Sequence, residues 1–183
     1  MRTTAEHYSS VAMFFHWLIA ALLIGNICLG LYFSDLPRSD PYLFTLAQIH
    51  KSIGLTILVL SVLRVLWRLI NPVPPLPSDM PGALKIAARS TQVLLYVLIV
   101  IIPLSGWLMV STSRHVTPIP YFFLFDWPAL PNVGNHEFWE DAHTFLAWSA
   151  IVLVPLHVLG ALYHQFVRRD RVFSTMWPWA SRA

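Results

Sequence analysis

The stretch from His143 to His157, HTFLAWSAIVLVPLH, decides how this chain reads. It holds no charged residue between its two histidines. An ionisable side chain within an apolar run that enters a bilayer is costly, so it needs a partner or a task. The fourteen-residue step makes nearly four helical turns. Both rings therefore point to almost the same face, about 21 Å apart along the axis. That spacing suits ligands for two stacked cofactors, one towards each membrane surface.

Outward from this stretch the composition is uniform in kind. Of 183 residues, 56% are hydrophobic and 11% charged, against roughly 25% charged in a soluble domain. A water-facing fold of this size cannot hide so much apolar surface, so the chain reads as an integral membrane protein. Four apolar runs approach or exceed the roughly 20 residues a bilayer needs: about 11–33, 46–70, 91–111 and 141–167. The expected fold is all-α: one integral-membrane four-helix bundle over 1–183. The first run is longer than a signal-peptide core and lacks a clear small-residue cleavage site, so it is expected to stay as a helix.

Lysine and arginine set the expected orientation. With four spans, both ends share a side with the loop between spans two and three. Arg2, Arg64, Arg68, Lys85, Arg89, Arg168, Arg169, Arg171 and Arg182 fall there; Arg38, Lys51 and Arg114 fall opposite. Both termini are therefore expected in the cytoplasm. The basic pI of 9.3 reflects this topology, and no nucleic-acid partner is implied. Trp67, Trp107, Trp127, Trp139, Trp177 and Trp179 cluster at the expected interfaces. Asn71-Pro72-Val73-Pro74-Pro75-Leu76-Pro77 is a stiff linker. Residues 112–139 form the longest loop, aromatic enough to lie on the membrane or cap the bundle. Pro103 and Pro155 sit inside spans three and four, where neighbouring helices can satisfy freed carbonyls.

Depth sorts four histidines into two pairs. His16 and His157 lie towards the cytoplasmic side, and His50 and His143 towards the outer side. Each pair offers two axial imidazoles to one metal, a common construction between facing helices. Zinc wants about four protein ligands, whereas an iron porphyrin brings four nitrogens and needs two more. Two non-covalent haem b groups, each bis-histidine ligated, are therefore the expected cofactors. The single cysteine, Cys28, rules out an intramolecular disulfide, an iron–sulfur or zinc-thiolate cluster and a Cys-x-x-Cys-His attachment. Bis-histidine ligation closes both axial positions and favours electron transfer over oxygen binding.

Arg64 follows His50 by fourteen residues, on nearly the same face at the opposite depth. It is placed either to bond a propionate of the inner haem or to snorkel to the headgroups. Gly54 and Gly106 allow either close approach of a flat ring or close helix packing, with packing the preferred reading for Gly106. His164, one heptad past His157, is a quinone candidate because its ordinary pKa lies near neutrality. Gln92 and Arg89 join it, being expected near the cytoplasmic face. His7, His115 and His136 receive no role.

In order and spacing the chain resembles the bacterial cytochrome b-561 family of small four-helix di-haem membrane proteins. The resemblance rests on His16-Trp17, Pro37-Arg38-Ser39-Asp40, His50-x-x-x-Gly54 with Arg64, and Asn71-Pro72-x-Pro74-Pro75. It continues through Pro103-Leu104-Ser105-Gly106-Trp107 to His143, His157 and His164. It implies that His16 and His157 ligate the inner haem and His50 and His143 the outer one, and that membrane quinone is a partner. Some similar proteins oxidise periplasmic superoxide. One departure is Gln92, four residues before Tyr96, where similar proteins often carry histidine. A glutamine can bond a quinone carbonyl but cannot relay a proton.

The leading expectation is a membrane electron carrier between a periplasmic redox partner and the quinone pool. A narrower form is a superoxide:quinone oxidoreductase, with Lys51 and Arg38 attracting the anion against nearby Glu137, Glu140 and Asp141. The alternative is a haem-bearing anchor subunit of a dehydrogenase or hydrogenase. A haem-free transporter or assembly factor ranks last.

Overall fold

A computed structural model of the chain describes residues 7–113, 118–131 and 134–178. Arg2, Arg114, His115, Trp179 and Arg182 lie outside the described residues. Four long helices carry the fold: α1 (Ser10–Ser34), α2 (Leu43–Ile70), α3 (Gly82–Ser111) and α4 (His136–Tyr163). Each contains a window of mean hydropathy 2.0 to 2.6, long and apolar enough to cross a membrane.

Local chemistry sets the helix ends. The Ser9 hydroxyl accepts from the Ala12 amide at 3.2 Å and caps α1. The Asn135 side chain accepts from the Glu137 amide at 3.0 Å and caps α4, with the Glu137 carboxylate in the first turn. α2 stops at Asn71 because Pro72 bars the helical conformation for its predecessor. α3 begins nine residues before its apolar run and α4 five before, because polar turns such as Gly82–Arg89 extend helices beyond what hydropathy marks. Pro103 and Pro155 lie within α3 and α4.

Packing is sequential: α1 on α2, α2 on α3 and α3 on α4. Ile19, Leu23, Ile57 and Ile99 form a core at mid-depth, joined by Phe15, Tyr96 and Val154. Lipid tails are as apolar as leucine, so close fit and small residues hold such helices together. Gly54 serves that fit. A Cβ there would meet Asn26 Nδ2 at 3.8 Å and Pro103 Cβ at 4.0 Å, so α2 lies close to its neighbours. By contrast, α4 has one buried residue, Ala150, and its direct packing on α1 and α2 is sparse.

Two features were not expected from the sequence. The long loop carries an antiparallel hairpin, β1 (Ile119–Tyr121) and β2 (Phe125–Trp127), with Ile119 opposite Trp127. Phe122 and Phe123 take left-handed φ of 46° and 60° at its turn. The turn is held from α2: the Phe122 amide donates to Ser52 Oγ at 2.9 Å, and Tyr121 and Thr56 share a hydroxyl bond of 2.9 Å. Phe123, Leu124 and Phe125 are exposed at the tip, a composition suited to an interface. Second, α4 runs into a π-helical turn, His164–Arg168, closed by Arg169 in the left-handed region. Beyond it the Tyr8 amide donates to the Thr175 carbonyl at 3.1 Å. The two described ends thus meet at one end of the bundle, called the inner end below.

Candidate functional site

Helical period brings the histidines together. On α2, His50, Gly54, Ile57, Ser61 and Arg64 fall on one seam, and on α4 so do His143, Ala150 and His157, with His164 opening the π-helical turn beyond. At the inner end the rings of His16 and His157 have centroids 6.2 Å apart with planes at 79°. At the outer end His50 and His143 are 6.3 Å apart at 85°. The apolar core lies between the two pairs.

Both outer rings are fixed through Nδ1. His50 Nδ1 lies 3.1 Å from the Asn26 carbonyl oxygen. His143 Nδ1 lies 3.0 Å from the Ile102 carbonyl oxygen and 3.1 Å from Ser105 Oγ. A ring whose Nδ1–H is donated to a carbonyl presents Nε2 to a metal. Gly106 packs against the neighbouring helix, and what packs on it is the His143 ring of α4. A Cβ there would meet His143 Cε1 at 3.0 Å, so this glycine makes room for the imidazole itself. Gly30 does the same for His50, at 3.1 Å. Sequence reasoning missed Gly30. Its signal is its place four residues after Asn26, matching the spacing of Gly106 after Ile102.

At the inner end His16 stacks edge-on with Trp17, at 5.1 Å between centroids. Arg64 lies with its guanidinium 5.1 Å from the Tyr96 ring centre. Arg68 lies over the same Tyr96 ring at 5.3 Å and donates to Tyr8 Oη at 3.3 Å. Tyr8, Arg64, Arg68 and Tyr96, with Trp67 and Met176, line a recess at the inner end.

The three quinone candidates stand differently. His164 is buried, with Nδ1 2.7 Å from Asp170 Oδ2. Arg168 bonds the same oxygen at 3.0 Å and reaches Asp79 at 3.1 Å. Burial alone would raise the Asp170 carboxyl, but bonds from His164, the Val172 amide and Arg168 hold it below the usual carboxylate range. Gln92 is half-buried one turn before Tyr96, and Arg89 is exposed on the first turns of α3. Among the described residues no recorded bond joins His164 to Gln92 or Arg89. Asp170 was also missed, because only the π-helical turn folds it back onto His164.

A family model described as prokaryotic cytochrome b561 matches residues 7–179. The chain belongs to the prokaryotic cytochrome b561 family. Cytochrome b561 homolog 2 of Escherichia coli (strain K12) is 38% identical over 176 residues, 94% of this chain and 92% of that protein. Probable superoxide oxidase CybB of Yersinia pestis is 29% identical over 177 residues, 94% of this chain and 97% of that protein. Cytochrome b562 of Cereibacter sphaeroides is 29% identical over 179 residues, 95% and 97% respectively. Membership in the b561 family implies haem b and membrane electron transport. With four span-length helices, it makes the chain a multi-pass protein of the bacterial inner membrane.

Proposed function

We propose that this b561 protein is a di-haem electron carrier linking a periplasmic redox partner to the quinone pool. The observation that carries the reading is the pair of ring separations, 6.2 and 6.3 Å. A metal–imidazole bond of about 2.0 Å and roughly 1.1 Å from nitrogen to ring centre give two trans imidazoles a centroid separation of about 6.2 Å. The donor set agrees. Among the described residues no three His, Cys, Asp or Glu groups stand together as a metal site. Two imidazoles suit a metal that brings four ligands of its own.

When bound, haem would supply reversible one-electron chemistry between the imidazoles that hold it. His16 and His157 hold the inner group, and His50 and His143 the outer one. Arg64 offers a bidentate partner to a propionate of the inner group. Ile19, Leu23, Ile57 and Ile99 exclude water between the two levels. His164, Gln92 and Arg89 are the quinone candidates. With Nδ1 held by Asp170, His164 keeps Nε2 for a quinone oxygen. The basic inner end supports a cytoplasmic position for both termini.

The superoxide:quinone oxidoreductase form is a second reading, favoured by the Yersinia pestis relative's name and by Lys51 beside His50. Asp35, Asp40, Asp126, Glu137, Glu140 and Asp141 outnumber the outer cations and oppose steering of an anion.

The test is a dithionite-reduced minus oxidised spectrum of detergent-purified protein with pyridine haemochrome quantification. A b-type spectrum with two haems per chain, reduced by a quinol, supports the carrier. One haem or none in folded protein made with ample haem overturns it. Copurification with a catalytic subunit would favour the anchor reading.

A further inference from the structure

The two outer imidazoles are held by one device built twice, on different helices. His50 meets the Asn26 carbonyl at 3.1 Å and lies against Gly30, four residues further along α1. His143 meets the Ile102 carbonyl at 3.0 Å and lies against Gly106, four residues further along α3. In an α-helix the carbonyl of residue i accepts from the amide of residue i+4, and the Cβ of i+4 leans back towards it. Glycine at i+4 uncovers the flank of that carbonyl, and a second donor can then reach it. An added Cβ would stand 3.1 Å from His50 Cε1 and 3.4 Å from Nδ1, or 3.0 and 3.2 Å from the same atoms of His143.

The inner pair lacks this device. An added Cβ at any of the glycines would stay more than 4 Å from both inner rings, and Gly25 and Gly160 face open space. Among the described residues no carbonyl is bonded to His16 or His157.

We propose that Gly30 and Gly106 are positioning residues that fix the tautomer and strengthen the donor character of the outer imidazoles alone, making the two haem sites electronically unequal. The inference rests on the di-haem reading. A carbonyl that accepts the Nδ1 proton makes the ring a stronger metal ligand through Nε2. Stronger donation favours ferric iron and lowers the outer potential. Moving the ring off its carbonyl reverses this.

The test is a redox titration with haem quantification on purified holoprotein carrying Gly30→Ala or Gly106→Ala. Gly54→Ala is the control, because its Cβ would make only ordinary contacts of 3.8 and 4.0 Å. His143→Ala identifies the outer component by its loss. Both alanine variants should shift that same component upward, or lose that haem alone, while Gly54→Ala moves neither. Equal shifts of both components, a shift of the inner one, or no shift overturns the proposal. So does failure of both variants to assemble, which would mark the glycines as packing residues. Fewer than two haems in the unmodified protein would instead sink the di-haem reading beneath it.

Discussion

The imidazoles of His16 and His157 face each other from α1 and α4 with planes turned 79° apart, close to the 85° of His50 and His143. Nearly perpendicular axial planes leave the iron dπ orbitals they interact with close in energy. Under the di-haem reading, both ferric haems should therefore give strongly anisotropic low-spin EPR signals. His16→Ala and His157→Ala should remove one of these signals, and His50→Ala and His143→Ala the other. Haem content should fall from about two to about one per chain. Loss of both signals from a single variant would contradict the pairing.

Arg64 carries its charge beside the inner pair. A nearby cation favours the more negative, reduced state, so Arg64→Gln should lower the inner potential and leave the outer one nearly unmoved. A unit charge about 10 Å away at an effective dielectric of about 20 is worth on the order of 1–2 kcal/mol, or roughly 40–80 mV for one electron. A potentiometric titration read at the α band checks it. An unchanged inner potential would return Arg64 to a snorkelling role.

The fold and much of the site could be read from the chain because their signals are periodic. Hydropathy marked four helices, and a step of fourteen put His143 and His157 on one seam and His50 with Arg64 on another. What could not be read depends on contacts without a period. Gly30 matters only once α2 sets the His50 ring against it. The hairpin depends on Ser52, a residue that reads as an ordinary small helix-packing serine. Asp170 reaches His164 only through a turn one residue wider than an α-helix.

That reach has a pH signature. Asp170 has a folded-state pKa held below the ordinary carboxylate value despite its burial. Such a group stabilises the fold above its unfolded pKa, and the contribution is lost as the pH falls through the folded one. The C-terminal segment should stay tied at neutral pH and loosen below about pH 4. Asp170→Asn should loosen it at pH 7, with tryptic cleavage after Arg169 and Arg171 faster by roughly tenfold. Equal cleavage rates in the two proteins would show that the tie contributes nothing.

Ser52 has its hydroxyl fully buried, donating to the Gln48 carbonyl at 2.8 Å and accepting from the Phe122 amide. Ser52→Ala leaves that amide without its acceptor, at a cost of about 1–2 kcal/mol. Hydrogen exchange across residues 119–127 should quicken by roughly tenfold, with haem content unchanged. Unaltered exchange would mean that the Tyr121–Thr56 bond alone holds the hairpin.

The sparse packing of α4 on α1 and α2 bears on how the molecule is assembled. The four helices brace one another in sequence, and α4 adds Val154 to the core that α1, α2 and α3 share. Under the di-haem reading its remaining neighbours are reached through the histidine rings and whatever they clasp. Bound cofactor would then add contacts between α4 and the α1–α2 side that the polypeptide alone makes sparsely.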